Sequence, residues 1–295
     1  MTSSTSPVAV VTGANSGIGR AAALQLAQQG YRVFGTVRSI EKAAKLQARA
    51  QDLGVVIELI ELDVASDSSV QLGFNDIFRT TDRIDVLVNN AGIGGNGVVE
   101  ESTPQMFHDA FNVNVVGAVR CLQHVLPKMR AQRSGTIVNI TSVVGKLAAL
   151  AQAPYVASKW AFEGLSEELA QEVAPFGIRV AIIEPGVTKS SIFAKNIDAP
   201  NQTGAYDSHY RRMFAFYAAG IVNATPAEEV GALIHHAITT DTPQLRYACS
   251  WGGPEIVAGR ARLTDSDWVT MAATDDDSEY YAAFKSAYGV DLGKS

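Results

Sequence analysis

Cysteine is nearly absent from this chain, with only Cys121 and Cys249 in 295 residues. The pair shows neither metal-ligand spacing nor the disulfide framework of small secreted domains, which points to a reducing compartment. Positive charge is also in short supply: 24 Lys and Arg stand against 30 Asp and Glu, a net charge of −6. That balance excludes a general nucleic-acid binder, whose phosphate contacts need a basic surface. No apolar run approaches the ~18 residues expected of a membrane span. The stretch Met1 to Pro7 is small and polar and lacks the parts of a signal peptide. A soluble cytoplasmic protein is therefore expected, with no nucleic-acid partner and no transmembrane segment. Histidine is rare too: His108, His124 and His209 stand alone, and His235 and His236 are adjacent. Neighbours on a helix point about 100° apart, so no metal site is expected.

What is present is ordinary globular composition, 47% hydrophobic and 18% charged. It is read as one α/β domain spanning 1–295. Short apolar runs alternate with helical periodicity. Strands are expected at Val8 to Val11, Tyr31 to Val37, Val55 to Leu62, Ile84 to Asn89, Thr136 to Thr141 and Ile178 to Glu184. Helices are expected from Ile18 to Gln29 with Gly30 as its stop, after Ser39 as a cap, from Pro104 to Met129, and from Pro154 to Val173. Such apolar strands imply a parallel sheet covered on both faces. Right-handed crossovers make it a doubly wound, Rossmann-type sheet with helices on both faces. Beyond Pro185 the pattern loosens. Residues 187–205 read as a loop, Tyr206 to Ala219 and Pro226 to Thr239 as helices, and Leu245 to Cys249 as a last strand. Residues 262–295 form a polar extension with aromatic insertions.

The first strand runs into Thr12-Gly13-Ala14-Asn15-Ser16-Gly17-Ile18-Gly19. Glycines there allow a tight turn and close approach of backbone N–H groups to a pyrophosphate, beside the positive end of a helix. The turn alone is weak evidence; its place between strand and helix strengthens it. The second strand ends Gly35-Thr36-Val37-Arg38. An acidic residue here would bind an adenosine ribose and favour NAD. Arg38 instead suits the 2′-phosphate of NADP(H), although a solvated loop arginine is the plain alternative. Ser16 occupies the position where a basic residue would add to the case. Asp63, before Val64, suits either an adenine amino group or a helix cap, and the cap is favoured on its own.

Tyr155 and Lys159 lie four apart in an expected helix, on one face. A phenol with a pKa of about 10 exchanges protons poorly near neutrality, and a nearby ammonium favours the phenolate. Taken alone, the pair also fits a packed aromatic beside a surface lysine. Ser142 ends the fifth strand, and Asn89-Asn90-Ala91-Gly92 ends the fourth. Both lie at the sheet edge where ligands bind.

Taken together, Thr12-Gly13 to Gly19, Asp63-Val64, Asn89 to Gly92, Asn114-Val115-Val116-Gly117, Ser142, Tyr155-x-x-x-Lys159 and Pro185-Gly186 resemble the short-chain dehydrogenase/reductase family over residues 8 to about 190. The longer C-terminus and Glu163-Gly164-Leu165-Ser166-Glu167 look most like the retinol and hydroxysteroid dehydrogenase branch. The resemblance implies Tyr155 as acid/base, Lys159 as ribose ligand that lowers the tyrosine pKa, Ser142 as holder of the substrate oxygen, and Asn114 as anchor of a relay water. It implies cofactor contacts from Gly13, Ser16, Gly17, Ile18 and Gly19, from Asp63, Val64, Asn90, Ala91 and Gly92, and from Pro185, Gly186 and Thr188, besides Tyr155, Lys159 and Arg38. The expectation is an NADP(H)-dependent carbonyl/alcohol oxidoreductase on a small or medium apolar substrate, with NAD(H) the lesser possibility. The resemblance also implies a homodimer or homotetramer. A different class, an NADP(H)-binding regulator without turnover, is the alternative. Residues 187–225 are read as a substrate loop, with Met213, Phe214, Phe216 and Tyr217 either core or lid.

Overall fold

The computed structural model describes residues 6–190 and 199–293. The part of the expected substrate loop at 191–198 lies outside the described residues. Seven parallel strands form one sheet in the order β3-β2-β1-β4-β5-β6-β7. They are β1 (Val8–Val11), β2 (Arg32–Val37), β3 (Ile57–Glu61), β4 (Val86–Asn89), β5 (Gly135–Ile140), β6 (Ile178–Pro185) and β7 (Arg246–Cys249). The order reverses beside β1, so the loops after β1 and β4 diverge and open a crevice at the carboxyl edge.

Strand residues alternate between two cores. Ala9, Val11, Val86, Val88, Val138 and Ile183 face one side, with α1 (Gly17–Gln28), α2 (Ala44–Asp52) and α8 (Ala227–Thr239) packed on it. Val8, Val10, Leu87, Ile137 and Ile182 face the other. That side is covered by α3 (Asp67–Phe78), α5 (Gly117–Gln132) and α6 (Ala153–Val173). Both faces are buried, which is why the strands read as continuous apolar runs.

The expected long helix at Pro104 to Met129 is built in three parts. α4 (Pro104–Phe111) passes through a π-helical turn, Asn112–Val116, into α5. Asn114 sits in that turn, and such bulges gather at functional sites. Gly30 ends α1 at a φ of 84° as expected. Ser39 precedes a 3₁₀ turn, Ile40–Ala43, without a side-chain capping bond, so that expected cap is corrected.

The C-terminal extension is more ordered than its polar composition suggests. α7 (Asp207–Asn223) is followed, past β7, by α9 (Gly253–Arg262), α10 (Asp265–Ala273) and α11 (Asp277–Tyr288). Tyr280, Phe284 and Tyr288 are spaced one turn apart and pack with Ile256 against Val143, Val144 and Leu147. Each such side chain contributes about 1.5–3 kcal/mol by burial. Arg212 of α7 is fully buried and locks the two parts together. Its Nε donates to Asp277 Oδ1 at 2.8 Å and its Nη2 to the Thr274 carbonyl at 2.7 Å. Its guanidinium lies 4.5 Å from the Tyr280 ring centroid. Asp277→Ala should cost about 2–3 kcal/mol, because it strands a buried cation. The expected fall in Tm is about 5–8 °C, read by calorimetry; an unchanged Tm would show that the carbonyls alone satisfy Arg212.

Candidate active site

The crevice begins where β1 ends. Thr12 Oγ1 accepts from the backbone N–H of Asn90 at 2.9 Å and of Ala91 at 3.0 Å. Asn90 returns the contact, its Nδ2 donating to the Thr12 carbonyl at 2.8 Å. The glycine turn is thereby laced to the end of β4. Gly13 and Gly17 hold φ of 66° and 55°, a region that L side chains avoid. Gly19 has no space for a side chain: a Cβ would stand 2.3 Å from Asn90 Nδ2 and 2.5 Å from the Gly13 carbonyl. α1 therefore starts close to the turn, with no acidic residue in its first turn, and its positive end faces the cleft.

The cleft has a volume of about 860 Å³. The glycine turn, Arg38, Asp63, Val64, Asn90 to Gly92, Ser142, Tyr155, Lys159, Pro185, Gly186 and Thr188 all line it. The structure thus gathers the candidate positions at one sheet edge, apart from Gly19, which packs behind the turn, and Asn114. Arg38 is exposed and forms no ion pair or hydrogen bond among the described residues. Asp63 does not cap α3, which corrects the favoured sequence reading. Ser66 does so, accepting from Ser69 N at 3.3 Å. Asp63 Oδ1 instead accepts from Ala65 N at 3.0 Å, on the cleft wall.

Opposite the nucleotide wall, Ser142 follows β5 at the start of the next turn and lines the cleft with Tyr155. Its Oγ also approaches the Pro185 carbonyl at 3.4 Å. Burial pushes the Tyr155 phenol up, and the Ser142 hydroxyl offsets part of that rise. The Lys159 ammonium lies 5.7 Å from the Tyr155 ring centroid and donates to the Ile140 carbonyl at 2.9 Å. Burial pulls Lys159 down to about 8, against the pull of Glu163. Burial is the largest influence on the phenol.

Asn114 is buried. Its Nδ2 donates to the Ile93 carbonyl and to Ser158 Oγ, each at 2.9 Å, and its Oδ1 accepts from Ile93 N at 2.8 Å. It ties the loop after β4 to the helix bearing Tyr155. Both amide protons are used, so a water near this side chain would meet only the remaining Oδ1 lone pair and neighbouring backbone. Thr188 Oγ1 shares a 2.7 Å hydrogen bond with Ser250 Oγ. Gly186 presses on the same segment, where a Cβ would lie 2.2 Å from the Trp251 carbonyl.

Of three further lining residues, Thr36 and Gln152 escape the sequence reading, and Tyr217 is one of those read as core or lid. Thr36 is buried with its hydroxyl unpartnered among the described residues, on the wall that carries Arg38. Gln152 is buried one turn before Tyr155, and its side-chain amide makes no hydrogen bond among the described residues. Tyr217 donates to Asn96 Oδ1 at 2.8 Å and lines the cleft. No local pattern marks a threonine in a strand or a glutamine at a helix start. Of the four residues read as core or lid, Met213 and Tyr217 are buried, Phe214 is exposed, and Phe216 lines the cleft. A smaller apolar recess of about 50 Å³ adjoins the cleft through Val143, Val144, Gln152 and Phe216. Its far wall is Ile256, Trp268, Tyr280 and Phe284.

A family description, short chain dehydrogenase, matches residues 7–201. The chain belongs to the short-chain dehydrogenase family. A Bacillus subtilis (strain 168) protein described as uncharacterized oxidoreductase YusZ is 35% identical over 271 residues, 90% of this chain and 96% of that one. The crystal structure of a short-chain dehydrogenase from Streptomyces avermitilis is 34% identical, with a TM-score of 0.76, covering 92% of this chain and all of that one. A single-site variant of actinorhodin polyketide ketoreductase with NADPH is 30% identical, with a TM-score of 0.67, covering 79% of this chain and 90% of that one. As a short-chain dehydrogenase, the chain is an oxidoreductase of a family that binds a nicotinamide cofactor. The cleft suits such a group: the glycine turn is a cradle that a Cβ would fill, and the Thr36 hydroxyl is unpartnered beside it. No helix among the described residues is long and apolar enough to cross a membrane.

Proposed function

We propose that this chain interconverts a carbonyl and an alcohol on an apolar substrate, using NADP(H), with Tyr155 as general acid/base. The observation that carries this reading is the Tyr155 phenol and Ser142 lining one cleft, with the buried Lys159 ammonium 5.7 Å from the phenol ring centroid. The nicotinamide, when bound, supplies or accepts the hydride. Ser142 positions the substrate oxygen, and Tyr155 gives it a proton in reduction or takes one in oxidation. Lys159 holds positive charge near the phenol and binds the ribose. Asn114 fixes the loop and helix that frame them. Arg38, exposed on the nucleotide wall and unpaired among the described residues, supports a 2′-phosphate over a bare ribose.

The apolar recess supports a substrate with a hydrocarbon arm reaching past Phe216 toward Trp268 and Phe284. Gln152, unpartnered at its mouth, offers a donor and an acceptor to a second polar group. The test is cofactor consumption by the purified protein against steroid, retinoid, quinone, sugar and acyl ketones, with NADPH and NADH. Ketone-dependent NADPH oxidation is expected, at least tenfold better in kcat/KM for the apolar ketones than for sugars. NADPH binding without turnover across the panel would favour the regulator instead.

A further inference from the structure

The stripe on α6 that carries Tyr155 and Lys159 continues to Glu163 and Glu167 at the same four-residue spacing. Glu163 is buried at 4% exposure, pressed against Gly145, where a Cβ would lie 2.7 Å from its Cγ. Glu184 of β6 is buried beside it at 2%. One guanidinium serves them all. Arg246 Nε lies 3.1 Å from Glu163 Oε2 and 3.4 Å from Glu184 Oε1, and its Nη2 is 3.2 Å from Glu167 Oε2. Glu163 Oε1 and Glu184 Oε1 accept no hydrogen bond among the described residues.

Two buried carboxylates, each with an oxygen that accepts no hydrogen bond among the described residues, and a shared cation are costly when both are charged. Such a pair relieves the cost by keeping a proton on one member. Burial and the Glu163 charge push Glu184 up to about 7, against Lys146 and Arg246. Glu163 in turn is the group that favours the ammonium of Lys159. The charged and titratable groups around the pair are Lys159 and Glu167 on α6, Lys146 after β5, and Arg246 and Cys249 on β7.

We propose that Glu163 and Glu184, bridged by Arg246, are a coupled pair of positioning residues that sets the charge state of Lys159, and through it the pH range of turnover. This rests on the reading of Tyr155 and Lys159 given above. The sign follows from the charges. As pH rises, the Glu184 carboxyl releases its proton to solvent and adds negative charge beside Glu163, the carboxylate that acts on Lys159. That charge favours the ammonium and moves its loss to higher pH. Removing either carboxylate should therefore bring the alkaline limb of kcat/KM to lower pH.

The experiment compares E163Q, E184Q and the half-exposed control E167Q. The limb should move acidward by about 0.5–1 pH unit in E163Q, and by less in E184Q. It should stay within about 0.2 unit in E167Q, where solvent screens the charge. A purely structural role would lower activity or Tm without moving the limb. Infrared titration of the intact wild-type protein gives a readout that needs neither turnover nor a folded variant. A protonated-carboxyl band should persist to near-neutral pH. In folded E184Q it should vanish. Absence of that band in the wild type, or unmoved limbs in both E163Q and E184Q, overturns the proposal. Should the protein prove to have no turnover, the band alone decides the carboxyl pair, and the reading of Tyr155 fails separately.

Discussion

Replacing Tyr155 with phenylalanine should lower kcat/KM by about three orders of magnitude while NADPH binding stays within about threefold. A positioned acid/base contributes roughly 10²–10⁴-fold, and here the phenol also organises its partner. It lines the cleft with Ser142, and the Lys159 ammonium lies 5.7 Å from its ring centroid. Phenylalanine keeps the ring, so the packing of α6 survives. It removes the one oxygen placed to exchange a proton with the substrate oxygen, and Ser142 has no comparable acidity. Burial holds the phenol up, which favours the protonated form, the form needed to reduce a carbonyl. The oxidative direction needs the phenolate, so it should rise with pH until Lys159, at about 8, begins to lose its ammonium. Steady-state rates with an accepted ketone and a fluorescence titration of NADPH separate chemistry from binding. Turnover within tenfold of wild type would remove Tyr155 from the reaction.

The parts of this site that local patterns reveal are those whose chemistry is carried by neighbours in sequence. Gly13, Gly17 and Gly19 make a turn between one strand and one helix, and Tyr155 and Lys159 share a helix face. Both constellations, and the apolar runs of a sheet buried on two sides, are legible from spacing. A helix after β3 is implied by the reading of Asp63 as a cap, but not its start at Asp67: its apolar positions Val70, Phe74 and Ile77 have helical spacing, and Gly73 interrupts it. The structure explains the glycine, since a Cβ there would meet Leu62 Cδ1 at 2.8 Å. α9 was missed, and the rest of the C-terminal extension was misjudged as a polar tail, for a different reason. Tyr280, Phe284 and Tyr288 have helical spacing, but their partners Val143, Val144 and Leu147 lie more than 130 positions earlier. Thr36, Gln152 and the pairing of Glu163 with Glu184 acquire meaning only when separate elements converge. Spacing conveys the ammonium near Tyr155 but not the burial that pushes its phenol up.

Removing the Arg38 guanidinium should weaken NADPH binding about 10- to 100-fold and leave NADH binding within about twofold. Arg38 is exposed and forms no ion pair or hydrogen bond among the described residues, so alanine there should leave Tm unchanged. Any loss must then come from the ligand. A hydrogen bond to a charged group is worth about 1.5–3 kcal/mol, which is tenfold or more in affinity. The same wall carries Lys42, also exposed and one turn further on. It provides a second cation at longer reach, so R38A should retain a residual preference for NADPH that the double variant R38A/K42A loses. Salt gives an independent check. An exposed charge pair is screened over about 10 Å at 0.1 M, so the wild-type preference for NADPH should shrink as ionic strength rises, while R38A responds less. Equal weakening of both nucleotides in R38A would mean that the arginine supports the loop after β2 and does not read a phosphate. In that case the choice between the two cofactors would fall to groups already inside the cleft, with the unpartnered hydroxyl of Thr36 the first to replace.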